Sequence, residues 1–244
     1  MEKINIRTII VIICILLIGL YVAGEVNYFA EKTITEKNIT SPVILIEKAG
    51  IEEKINNISL SQGVMLDEKS AIPTKGDVVL FGHRTLQGSP FLRLNELAKG
   101  DIITLEWPEI GEVNYSVIDT KIVPANYQLT TNNSENHIYL ITCDPIGSVA
   151  NRLIIEGEMQ NISGINDKII ENNPHEYYSF ILTGLFLIAG VIISLIYPKK
   201  SRPYILVTVL IIAAILLYFC FNPISSQWVY DKIIILNGGI FYGC

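Results

Sequence analysis

Three uncharged apolar stretches, Thr8 to Gly24, Tyr177 to Pro198 and Pro203 to Tyr230, constrain this 244-residue chain more than any other feature. Each is long enough to cross a hydrocarbon core of ~30 Å with ~20 helical residues. They assign residues 1–24, 177–198 and 203–222 to three transmembrane helices, with a short loop at 199–202. Lys3 and Arg7 precede the first span, and Lys199, Lys200 and Arg202 crowd the loop. Positive charge concentrates on the cytoplasmic side, so both segments belong inside and the stretch between the first two spans faces outward. Thr8 to Gly24 also fits the apolar part of a cleaved signal peptide, with small Ala23 and Gly24 near its end. No clear small-x-small site stands there, which favours a retained anchor. Residues 223–244 return outside as an extracytoplasmic tail, with Trp228 and Tyr230 where interfacial aromatics sit.

The outward segment differs sharply in charge. From Glu25 to Glu176, 12 Lys and Arg stand against 22 Asp and Glu, which argues against a nucleic-acid partner. Its length suffices to bury a core of its own. Residues 25–42 read as a stalk or short helix, 43–160 as the folded domain and 161–176 as the linker back to the membrane. Within the domain, strands fit Val43 to Ile46, Ile55 to Leu60, Val78 to Phe81, Ile102 to Trp107, Val113 to Ile118, Ile122 to Val123, Ile138 to Thr142 and Leu153 to Glu158. A short helix is expected from Ser89, because Pro90 suits a first turn and Phe91, Leu94 and Leu97 recur at helical spacing before Gly100. Many short strands with one helix indicate a barrel or sandwich.

Cysteine usage points the same way. Cys14 and Cys220 lie inside spans, leaving Cys143 and Cys244 on the outside. An oxidised pair between them suits that compartment, but one lies in the domain and the other ends a tail, so Cys143 is expected as a free thiol. Five Asn-x-Ser/Thr triplets begin at Asn38, Asn57, Asn114, Asn132 and Asn161, and fit either chance in an Asn-rich chain or glycosylation.

Chemistry gathers at two strand ends. His83 follows the apolar run ending at Phe81-Gly82, and Cys143 closes Tyr139-Leu140-Ile141-Thr142 just before Asp144-Pro145. Arg152 opens the next strand, where a hairpin-like return brings its guanidinium back beside the thiol. A thiolate attacks acyl carbons, an imidazole protonates a departing amine, and a guanidinium stabilises an oxyanion. The same residue types also read as a small buried hydrophobe, a turn histidine and a solvated strand start. His137 and His175 read as structural or solvated.

Order and spacing add a resemblance. Gly82-His83-Arg84-Thr85, Gly88-Ser89-Pro90-Phe91, Leu94, Gly100-Asp101, Leu140-Ile141-Thr142-Cys143-Asp144-Pro145 and Arg152-Leu153 together resemble the sortase family, from about Val43 to Met159. The Gly-His-Arg stretch is similar to class E enzymes, although Leu86 and Gln87 intervene, and Cys-Asp-Pro-Ile-Gly is similar to class C. The resemblance implies a mainly β fold, an eight-stranded barrel with one or two short helices, carried by the three transmembrane helices. It implies a cysteine transpeptidase at the cell surface that cleaves a Leu-Pro-x-Thr-Gly-like signal. Cys143 would be the nucleophile, His83 the general acid and then base, and Arg152 the substrate and oxyanion clamp. Thr142, which would help shape the site, and Arg84 would be substrate-binding residues, with Arg84 either structural or at the substrate rim rather than a catalyst. The implied partners are secreted or membrane proteins with a C-terminal sorting signal, an amine acceptor of the envelope or a pilin-like subunit, and membrane lipid. No cofactor is expected. No metal is expected either, since Glu96 is the only acid between His83 and Gly100. The alternatives are a thiol hydrolase that releases surface proteins and a non-catalytic peptide-binding envelope protein.

Overall fold

The computed structural model describes residues 5–35, 41–131, 136–166 and 175–236. The chain divides into two compact units, one of residues 1–35 and 173–233 and the other of residues 36–172 and 234–244.

Alternating apolar residues build the second unit. Its described strands are β1 (Val43–Ile46), β2 (Ile51–Asn56), β3 (Val64–Leu66), β4 (Val78–Phe81), β5 (Ile102–Trp107), β6 (Gly111–Pro124), β7 (His137–Asp144) and β8 (Asn151–Ser163). They close into a barrel in the order β1-β2-β3-β4-β7-β8-β6-β5. The β2–β3 and β4–β7 pairs are parallel, and the other six are antiparallel. Closure leaves no open edge, which suits an isolated domain. Val78, Leu80, Ile138, Leu140, Leu153 and Ile155 all point inward to one core with Ile44, Leu105 and Tyr115. The Tyr115 side chain is wholly enclosed, and its hydroxyl meets no partner among the described residues. Burial first, and then the nearby Asp77 charge, pushes its ionisation well above the ordinary tyrosine range.

Several elements differ from their sequence reading. Val113 to Ile118 and Ile122 to Val123 form one strand, β6, whose pairing with β8 shifts between Val117 and Asp119. Such a bulge absorbs one residue and breaks the alternation from which two strands were expected. The strand expected at Ile55 to Leu60 instead ends at Asn56, whose side chain accepts the Ile58 and Ser59 N–H groups and turns the chain. The helix expected from Ser89 is only a single 3-10 turn at Leu94–Glu96. Ser89 has φ of 49°, outside the helical region, and the Phe91 N–H is committed to the His83 carbonyl. Phe91, Leu94 and Leu97 still pack into the core, so their spacing reports burial rather than a helix.

The first unit is helical. Helix α1 (Ile6–Thr35), α2 (Tyr178–Ile196) and α3 (Arg202–Phe221) are each long and apolar enough to cross a membrane, and α4 (Ser226–Leu236) follows. The segment from Glu25 to Thr35, read from sequence as stalk or short helix, continues α1 without a break. Close approach of two helices requires small residues at the contact. A Cβ at Gly190 would lie 2.5 Å from Val209, and one at Gly19 would lie 2.9 Å from Ile212. Polar pins complete the bundle. The wholly buried Asn27 donates to the Ile224 carbonyl at 2.7 Å and accepts from the Ile224 N–H at 2.8 Å. Glu31 accepts both the N–H and the hydroxyl of Ser226 at the start of α4. His175 stacks on Phe29 and meets Tyr178 edge-on.

Candidate active site

Side-chain alternation assigns the outer face of three neighbouring strands. With Val78 and Leu80 of β4, Ile138 and Leu140 of β7, and Leu153 and Ile155 of β8 inside, the intervening residues point out. Val79, Tyr139, Ile141 and Ile154 form a second apolar cluster there, packed against Phe81, Val123 and Leu129. A groove of about 550 Å³ runs over this cluster. Phe81, Ile141 and Ile154 line it, Tyr127 and Leu129 from the connection after β6 contribute, and Arg152, Asp67 and Lys69 supply its charges. Residues 132–135 of that connection lie outside the described residues.

Cys143 continues the outer row of β7 begun by Tyr139 and Ile141, and Arg152 continues that of β8 begun by Ile154. The register pairs Cys143 directly with Arg152 across β7 and β8. Directly opposed residues share a face with Cβ atoms ~5 Å apart. The Arg152 guanidinium donates through Nη1 to the Val149 and Asn151 carbonyls, each at 3.1 Å, which holds it at the strand entry.

His83 enters from β4, which runs parallel to β7 with Phe81 opposite Ile141. Past the last strand pair, the Gly82 N–H reaches the Ile141 carbonyl at 3.2 Å, and the Gly82 carbonyl accepts the Thr142 hydroxyl at 2.7 Å. The His83 carbonyl accepts the Phe91 N–H at 3.0 Å. The backbone on both sides of His83 is therefore fixed to β7 and to the Phe91 turn. His83 and Cys143 are both buried, at 1% and 6% exposure.

Two residues assigned to substrate by resemblance have other contacts. Thr142 lies on the inward row with Leu140, is buried, and ties β7 to the end of β4. Arg84 is 3% exposed, and its guanidinium donates to the Cys143 carbonyl, Asp144, Asn95 and the Leu92 carbonyl. The expectation of a free thiol at Cys143 is corrected. It is disulfide-bonded in this structure, while Cys14 and Cys220 are free. A disulfide needs two sulfurs held within bonding reach by their backbones, whatever the exposure of either. The pairing with Cys244 weighed from the sequence concerns a residue outside those described. His137 belongs to a separate cluster, with Nδ1 3.2 Å from the Glu156 carboxylate, which also accepts from Tyr139 and Lys121.

Sequence reasoning placed a groove wall in the connection from Ala125 but missed Asn95, Phe91 as the buttress of Gly82, and the strand residues of the groove floor. Only the alternation of two apolar rows on β4, β7 and β8 could have revealed the last of these.

The closed eight-stranded barrel brings His83, Cys143 and Arg152 to the ends of the neighbouring strands β4, β7 and β8. The family model described as Sortase domain matches residues 33–160, just over half of the chain, and the chain belongs to the sortase family. Among solved structures it is similar to sortase A of Listeria monocytogenes, at 20% identity over 54% of this chain and 94% of that one, with a TM-score of 0.48. It is also similar to sortase C-1 of Actinomyces oris, at 26% identity over 50% and 73%, with a TM-score of 0.45. Sortase C1 of Streptococcus agalactiae matches at 24% identity over 51% and 69%, with a TM-score of 0.46. No curated protein matches the chain.

Proposed function

We propose that the protein is a membrane-anchored cysteine transpeptidase that cleaves a Leu-Pro-x-Thr-Gly-like sorting signal at the outer cell surface and transfers the protein to an amine. The observation that carries this reading is the β7–β8 register, which pairs Cys143 with Arg152 beside an apolar groove. The distribution of Lys and Arg supports an outward barrel and a cytoplasmic loop at 199–202.

The chemistry follows from the residue types. The reaction starts from reduced Cys143, freed by exchange with an external thiol reductant, two equivalents of which leave as their own disulfide. Its thiolate attacks the Thr carbonyl of the signal, and the Arg152 guanidinium stabilises the resulting oxyanion. The C–N bond to Gly then breaks, with His83 giving its proton to the departing amine and leaving a thioester on Cys143. An incoming amine attacks that thioester, its proton passes to His83, and the thiolate leaves. The apolar groove floor suits the Leu and Pro of the signal.

Incubation of the reduced protein with a signal peptide, with and without a triglycine amine, tests this reading. Ligated peptide with the amine present is the expected result. Cleaved acid as the sole product in both arms would identify a hydrolase, and no turnover in either arm would support a binding protein.

A further inference from the structure

We infer that Arg84 is a positioning residue that locks the nucleophile strand to the histidine segment, and is not a contact for substrate. The inference rests on the proposed roles of Cys143 and His83. A guanidinium at 3% exposure has lost most of its hydration, which costs several kcal/mol unless its partners are well placed. Here they are. Nη1 donates to the Cys143 carbonyl at 3.1 Å and to Asp144 Oδ1 at 3.0 Å, and Nη2 donates to Asn95 Oδ1 at 2.6 Å. Nε points to the Leu92 carbonyl at 3.4 Å.

These acceptors come from separate pieces of the fold. Arg84 is bonded covalently to His83. Cys143 and Asp144 end β7, whereas Leu92 and Asn95 belong to the turn that also holds Phe91. One planar fork therefore fixes three segments at once. The Cys143 carbonyl sits one bond from the Cα that carries the thiol, so its anchorage sets the direction of the Cβ–Sγ bond relative to His83. Thr142 adds a second tie one residue earlier, through its hydroxyl to the Gly82 carbonyl. β7 and the His83 segment are thus crosslinked on both sides of the Cys143 peptide. An ammonium cannot reproduce this, because Lys presents one point charge where Arg presents a rigid fork.

The geometry separates a positioning role from two others. A substrate clamp would raise KM when shortened, and a purely structural residue would lower stability without changing turnover per folded molecule. A positioning residue lowers kcat with KM held. The test uses the full-length, reduced, detergent-solubilised protein, with each variant's concentration taken from absorbance and its melting temperature recorded. Arg84→Lys and Arg84→Gln are each expected to lose tenfold or more in kcat for peptide ligation, with KM within threefold. Asp144→Ala and Asn95→Ala each remove one bond at a partly or fully exposed position and keep the fold testable if Arg84 variants do not fold. Each is expected to lose severalfold in kcat. Iodoacetamide alkylation mapped to Cys143 at one fixed pH needs no peptide, and its rate is expected to fall severalfold in all four variants. Wild-type kcat in folded Arg84→Lys, a loss confined to KM, or wild-type kcat in both Asp144→Ala and Asn95→Ala overturns the inference. Failure of the transpeptidase reading looks different, because the parent protein itself would then form no ligated product.

Discussion

Gly82→Ala tests the packing that carries His83. The backbone there is not in the left-handed region, so an alanine meets no torsional penalty. The obstacle is space. A Cβ at this position would lie 2.6 Å from Phe91 Cδ2 and 2.7 Å from Cγ, inside van der Waals contact with a ring that is wholly buried. Neither side yields easily. Gly82 is held by the Ile141 carbonyl and the Thr142 hydroxyl, and Phe91 by its N–H to the His83 carbonyl. Overpacking of this kind costs ~1–3 kcal/mol. Phe91→Ala alone removes the ring and costs ~3–5 kcal/mol through the cavity it leaves. In the double variant the added methyl enters that cavity, so the total should fall short of the sum by at least about 1 kcal/mol. The assay is urea unfolding followed by Trp107 fluorescence in a Trp228→Phe background, since these are the chain's two tryptophans. Additive costs, or a Gly82→Ala variant as stable as its parent, would refute the argument that Phe91 sets the position of the His83 segment.

Arg152→Lys keeps charge and loses the fork, so ligation should slow by about a hundredfold while the melting temperature stays within error; unchanged kcat would remove Arg152 from the mechanism. Tyr115→Phe deletes a buried hydroxyl and should leave stability at pH 7 equal or higher. Because the folded-state pKa of Tyr115 is raised above its unfolded value, its contribution is intact below about pH 10 and declines above it. The parent should therefore lose stability above pH 10 more steeply than Tyr115→Phe, and parallel alkaline unfolding curves would contradict the burial argument. In the helical unit, Gly190→Leu places side chain where Val209 already stands and should lower the melting temperature in detergent, whereas Gly184→Leu, with nothing within 4 Å of its Cβ, should not. A thiol-reactive label that reaches a cysteine introduced at Lys200 from outside intact cells would reverse the proposed topology.

What was legible in the sequence was local. Val78 to Phe81 and Ile102 to Trp107 are β-branched runs bounded by turn residues, and the strands begin and end where those runs do. The three long apolar helices were legible because each is an unbroken run of uncharged, mostly apolar residues. β3, three residues long, left no trace because its pairing with β2 and β4 supplies what its own length does not. The nearness of Cys143 and Arg152 followed from a hairpin return, but the place of Arg84 did not. Its acceptors lie 8, 11, 59 and 60 positions away, and nothing in Gly-His-Arg announces which carbonyl a guanidinium will meet.

The most direct test is intact-mass analysis of the reduced protein mixed with a Leu-Pro-x-Thr-Gly-like peptide and no added amine. The account predicts a thioester adduct with the mass of the peptide acyl portion, mapped to Cys143, discharged by hydroxylamine and absent in Cys143→Ala. An adduct on another residue, or ligated product formed by Cys143→Ala, would contradict it.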